Sequence, residues 1–185
     1  MHLLIKVMIN LKKYFHKIIN MLGYVLLPKG ITKTLENNKM SASLERLKQN
    51  HIYPDIILDI GAAKGKWSLQ AQKIWSNTEY ILIEPLEAQI KHMKANIDFD
   101  STIIQGVCSS EVGWIDFNVS DDLEGSGIYS TEKNKIKVEA YTIQQILNEK
   151  TLDNKTVLIK MDTHGYEIPI LEGIEDAWET ISVII

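Results

Sequence analysis

The stretch that most constrains this chain is Asp55–Leu69, which reads Asp-Ile-Ile-Leu-Asp-Ile-Gly-Ala-Ala-Lys-Gly-Lys-Trp-Ser-Leu. The apolar run of Ile56, Ile57, Leu58 and Ile60 predicts a buried parallel strand, because strands covered on both faces read as near-continuous hydrophobics. The run stops at Gly61 and Gly65, after which Trp67, Leu69, Ala71 and Ile74 predict a helix to about Trp75. Strand, glycine turn and helix open a nucleotide-binding α/β unit, in which backbone and helix N-terminus meet the ligand. A dinucleotide fingerprint would need glycine at three places of G-x-G-x-x-G. Gly61, Ala63 and Lys66 stand there, so two of the three are wrong, which counts against an NAD-type oxidoreductase.

Further along, the pattern alternates strand and helix. Strands are expected over Tyr80–Ile83, Ser101–Val107 and Thr156–Met161, with helices over residues 86–96 and after Thr142, a residue that caps helices well. Pro169 suits the first turn of another helix and Gly173 its end. A short helix over 41–50 precedes Pro54. Glu84 falls at the end of the second strand, where doubly wound folds set an acid on ribose hydroxyls; a solvated surface glutamate is the alternative. Asp162, His164, Gly165 and Glu167 cluster at the carboxyl end of the fourth, the side on which open sheets bind ligands. His164 is the natural candidate for a general base, histidine being the residue type most often used so, with an exposed or supporting histidine as the alternative. Between third and fourth strands, Gly113–Val119 and Ile136–Ala140 read as extended pieces flanking a polar loop, Asp121–Ser130.

Three motifs carry a resemblance over roughly residues 50–185. Asp59-x-Gly61-x-x-x-Gly65 resembles the first motif of class I S-adenosylmethionine (SAM) methyltransferases. Ile81-Leu-Ile-Glu84-Pro85 resembles their second-strand motif. Leu158-Ile-Lys160-Met-Asp162-Thr-His-Gly165-Tyr-Glu167, with Leu171-Glu-Gly173 behind it, resembles the signature of the FkbM-type members. The resemblance implies a doubly wound, Rossmann-like, mostly parallel sheet with an inserted β-hairpin, SAM as cofactor, and O-methylation of a sugar, polysaccharide or other small hydroxylated acceptor. By it, Asp59, Gly61, Ala62, Gly65, Glu84, Pro85 and Asp162 bind the cofactor, and His164 and Asp162 serve catalysis. Gly106–Cys108 would lie by the adenine, and the usual polar residue is not obvious there. A degenerate module that binds SAM without catalysis is the alternative.

Residues 1–35 carry six lysines and no acid, although the whole chain has a net charge of −4. Leu4, Val7, Met8, Leu11, Phe15, Ile18, Ile19 and Leu22 make an apolar stripe, predicting an amphipathic helix over 3–22. Such a helix lies on a membrane surface, packs on the domain, or pairs with a second copy; its lysines exclude a membrane span and a signal peptide. The domain expected is therefore 36–185 behind a basic extension. Nothing follows Ile181-Ser-Val-Ile-Ile185, whereas class I methyltransferases continue through two more strands, so the resemblance implies a domain incomplete at its C-terminus. The acidic balance gives no reason to expect nucleic acid. The single Cys108 fits a reducing, cytoplasmic setting and reads as a small buried residue; no residue set has metal-ligand spacing.

Overall fold

The computed structural model describes residues 40–123, 125–131, 134–152 and 154–185. The expected basic extension and its helix over 3–22 lie outside the described residues. The described chain runs α1 (Met40–Gln49), β1 (Ile56–Ile60), α2 (Lys66–Gln72), β2 (Glu79–Glu84), α3 (Glu87–Asn96), β3 (Ser101–Gln105), β4 (Val107–Cys108), β5 (Gly113–Val119) and β6 (Asn134–Tyr141). It continues through α4 (Ile143–Asn148), β7 (Val157–Met161), α5 (Glu167–Glu172), a 3₁₀ helix (Glu175–Glu179) and β8 (Ile181–Ile184). None of these helices is long and apolar enough to cross a membrane.

Five strands form a parallel sheet in the order β3-β2-β1-β7-β8. The chain starts at the centre, builds outward through β2 and β3, then returns to add β7 and β8 on the other side of β1. That reversal opens a crevice beyond the carboxyl ends of β1 and β7, where open α/β sheets take their ligands. Side chains alternate across the sheet with a period of two. Ile56, Leu58, Ile60, Ile81, Ile83 and Ile159 pack with Ile143, Ile146, Leu147 and Ile170 on one face. Ile57, Leu82 and Leu158 pack with Leu44, Ala71 and Met93 on the other. Each such fully buried aliphatic side chain contributes roughly 1.5–3 kcal/mol, so the central strands anchor everything that projects from their ends.

The inserted hairpin is present: β5 and β6 pair antiparallel from Gly113↔Ala140 to Val119↔Asn134. They belong to a second, three-stranded sheet in the order β4-β6-β5. The single strand expected over 101–107 is broken by this second sheet. At Gly106 the backbone passes so close to β6 that an added Cβ would stand 2.6 Å from the Glu139 carbonyl oxygen and 2.7 Å from the Tyr141 ring. The chain therefore leaves β2 at Gln105, and Val107–Cys108 pairs with Ala140–Tyr141 instead. The helix expected to reach Trp75 ends at Gln72, and the 3₁₀ turn before β8 is too short to show a periodicity in sequence.

Candidate active site

A cavity of about 340 Å³ opens in the crevice, walled by the ends of β1, β2 and β7, the first turn of α3, and the loop between β5 and β6. The glycine turn after β1 forms one edge. Gly61 takes φ 72°, and an added Cβ would overlap the carbonyl oxygen of Asp162 at the end of β7. Glycine is thus required there by the neighbouring strand, whatever ligand lies beyond. The N–H groups of Gly61 and Ala62 both donate to the Ile83 carbonyl at 3.0 Å, and Gly65 N–H donates to Ala62 at 2.8 Å. Gly65 turns toward Ile97 and Met93 of the α3 segment and, with Ala62, does not line the cavity.

Glu84 does line it. The residue is 5% exposed, and its carboxylate accepts two backbone N–H groups, from Ala63 at Oε2 and from Leu86 at Oε1, both at 2.9 Å. Burial pushes its pKa up, and the Leu86 and Ala63 donors offset only part of that effect. Each oxygen keeps further lone-pair capacity for a ligand donor. Pro85, Leu86 and Gln89 continue this wall, with Gly106, Val107 and Cys108 also lining the cavity. The Cys108 thiol is buried and pushed up to about 12, so it is no nucleophile.

Asp162, Thr163 and His164 line the β7 side. His164 holds φ 52°, a left-handed conformation uncommon outside glycine, and Gly165 follows at φ 96°. The tight turn brings the imidazole Nδ1 to 3.2 Å from the Ser126 carbonyl oxygen. A carbonyl only accepts, so that bond requires the proton on Nδ1 and leaves the Nε2 lone pair free in the neutral ring. Nε2 faces Asp162 Oδ1 at 3.9 Å. The arrangement can take a proton at Nε2 and stabilise the resulting cation with the Asp162 carboxylate.

A model of the methyltransferase FkbM domain matches residues 59–185. The chain belongs to the FkbM methyltransferase family. Comparison with curated proteins finds no match. Among solved structures, the plantazolicin methyltransferase BpumL in complex with SAH is similar at 13% identity and a TM-score of 0.40, over 97% of this chain and 61% of that one. The same enzyme in complex with a monoazolic desmethylPZN analog and SAH gives 14% and 0.39, over 78% and 44%. A Staphylococcus aureus protein described as a caffeoyl-CoA O-methyltransferase gives 22% and 0.32, over 55% and 49%. The chain therefore spans about half the length of these structures.

Other motif residues of this FkbM domain are placed around the cavity rather than in it. Asp59 is fully buried beneath the glycine turn, accepting from Ser68 Oγ at 2.6 Å and paired with Lys160 Nζ at 2.9 Å. Lys160 also donates to the Gly61 carbonyl at 3.0 Å. This trio ties the end of β1 to β7, so the acid of the first motif braces the turn from below. Glu167 accepts from Thr163 Oγ1 and Gly165 N–H, each at 3.1 Å. Its burial acts to raise the pKa, but the N–H and hydroxyl donors around it win and hold the carboxyl low. It fixes the turn that presents His164.

The structure adds three groups to the site that the sequence reading gives no role. Tyr166 lines the cavity with its hydroxyl 2.9 Å from Ser109 Oγ. The β5–β6 loop reaches the cavity through Leu123, Ser126, Gly127 and Ile128, pinned by Asn118 N–H to the Gly127 carbonyl at 3.1 Å and by Ser120 N–H to Ser126 Oγ at 2.9 Å. Gln89, on the first turn of α3, is 2% exposed, lines the cavity, and has no hydrogen-bond partner at Oε1 among the described residues.

Proposed function

We propose that this domain, taken as residues 36–185, is a SAM-dependent methyltransferase acting on a hydroxyl group of a small or glycan acceptor. The observation that carries the reading is that one cavity holds both halves of a transfer site, with Glu84 at the end of β2 and His164 with Asp162 at the end of β7. Its residues fit the cofactor. SAM brings two ribose hydroxyls, for which Glu84 offers a carboxylate with lone pairs to spare, and a nucleobase, for which Pro85, Leu86 and Val107 offer apolar walls. It brings no pyrophosphate. The N–H groups of Gly61, Ala62, Ala63 and Gly65 are all used within the protein, so these four are not on offer to a dinucleotide's pyrophosphate. That favours SAM over NAD.

SAM supplies an already electrophilic methyl group on its sulfonium. The protein must then hold the acceptor oxygen in line and remove its proton. His164 Nε2 would take that proton as the methyl passes from sulfur to the acceptor oxygen, the S–C bond breaking as the C–O bond forms and S-adenosylhomocysteine leaving; the Ser126 carbonyl would hold the ring through Nδ1 and Asp162 would balance the cation. General bases of this kind contribute about 10²–10⁴-fold. Turnover should thus fall by about that factor in His164→Asn, since asparagine tolerates the left-handed backbone but cannot take the proton.

The test is calorimetric titration of the full chain with SAM, S-adenosylhomocysteine and NAD, followed by transfer of labelled methyl to a panel of hydroxylated sugars. Nucleoside-ligand binding that is lost in Glu84→Leu, with no NAD binding, supports the reading. NAD binding, or S-adenosylhomocysteine binding indifferent to Glu84→Leu, would sink it. Cofactor binding with no transfer to any acceptor would favour a binding module. A pH–rate profile unchanged in His164→Asn would remove the histidine from the mechanism.

A further inference from the structure

A carboxamide oxygen left alone in a protein interior costs free energy unless a ligand supplies its donor. Gln89 Oε1 is in that position: the residue is 2% exposed, the atom has no hydrogen-bond partner among the described residues, and the side chain forms part of the cavity wall. It stands one helical turn beyond Leu86, and Gly106, Val107 and Cys108 also line the cavity. The end of that neighbouring segment offers the cavity no polar side chain, because Gly106 has none, Val107 is apolar, and the buried Cys108 is a weak donor. We infer that Gln89 is the nucleobase-reading residue of this site, its Oε1 accepting a hydrogen bond from the exocyclic amino group of adenine.

The choice among ligand donors follows from counting, and it rests on the reading of the cavity as a SAM site. The nucleoside half of SAM has three donor groups, two ribose hydroxyls and the adenine amino group. Glu84 has two oxygens, each with one backbone N–H and capacity left for one hydroxyl. The amino group is the donor left over, and Gln89 Oε1 is the acceptor left over. A site that satisfies a buried acceptor with a substrate N–H also discriminates against an analogue lacking it, because the acceptor is then stranded.

The experiment compares calorimetric affinities of the full chain for S-adenosylhomocysteine, S-inosylhomocysteine (oxo in place of the amino group) and the 3′-deoxy form of S-adenosylhomocysteine. Variants are Gln89→Met, which keeps length and removes the acceptor, and Gln89→Glu, which keeps the acceptor; thermal unfolding establishes that both fold. The wild type should prefer the adenosyl over the inosyl ligand by about tenfold or more, the worth of one buried hydrogen bond. In Gln89→Met this preference should collapse toward unity while the penalty for the 3′-deoxy form persists, and Gln89→Glu should retain the preference. An undiminished preference in Gln89→Met would overturn the inference, as would loss of the 3′-deoxy penalty in its place. Failure of Gln89→Met to fold leaves the decision to Gln89→Glu, whose loss of preference would overturn it equally. If the wild type binds none of the three ligands, the cofactor reading fails first and this inference with it.

Discussion

Exchanging Lys160 for methionine isolates what holds the glycine turn. Asp59 is fully buried, and its charge is balanced by Lys160 Nζ at 2.9 Å, with the Ser68 hydroxyl at 2.6 Å on the other oxygen. At an effective dielectric constant of about 20, charges at that distance attract by roughly 6 kcal/mol, a gain opposed by several kcal/mol of desolvation for each ion. The intact pair is therefore worth little net. Removing only the lysine is different, because the carboxylate stays buried and uncompensated, which typically costs about 3–5 kcal/mol. The Gly61 carbonyl also loses the donor it now has at 3.0 Å. Against a total stability of about 5–15 kcal/mol for a domain, Lys160→Met should move the urea midpoint far down, read from tryptophan fluorescence at pH 7. Adding Asp59→Asn should restore at least half of the loss, because the amide oxygen can still accept from Ser68. A loss below about 1 kcal/mol, or no recovery on adding Asp59→Asn, would refute the claim that this buried pair braces the turn.

Two further outcomes follow from local geometry. Gly61→Ala forces a Cβ onto the Asp162 carbonyl oxygen at φ 72°; overpacking and backbone strain together should cost at least about 2 kcal/mol, and an unchanged unfolding midpoint would show that the two strand ends are not rigidly opposed. Asp55 accepts from Thr156 N–H at 2.8 Å and Thr156 Oγ1 at 2.9 Å, and these bonds hold its pKa below the ordinary 3.8. The stability they contribute is present above that ordinary value and lost as pH falls through the lower folded value. Asp55→Asn should therefore be less stable than wild type at pH 7 and converge with it in strong acid; a gap that stays constant with pH would contradict the assignment.

Much of the fold was legible along the chain because its signals are local. Near-continuous apolar runs at 56–60 (broken only by Asp59) and 157–159 announce strands covered on both faces, and the turn at Gly61 and Gly65 announces a strand–helix junction. Alternation of strand and helix then leaves little choice but a parallel sheet, and ligand-binding groups gather at its carboxyl edge. Glu84, Asp162 and His164 could be assigned to one cavity on that ground alone.

What only the tertiary structure decided is which group each side chain meets. Asp59 and Glu84 are both acids at or near strand ends, yet one pairs with Lys160 under the sheet edge and the other faces the cavity, because neighbouring strands in register bring different partners to each. Gly106 looks like an ordinary strand residue until the second sheet crowds it. Ser126 and Gln89 belong to no motif; a pinned loop and a helix turn carry them to the cavity from distant parts of the chain. Sequence periodicity reports how each segment is covered, through the hydrophobic pattern of its own residues. The pairing of buried polar groups depends on distances across the folded molecule, and no local pattern encodes those.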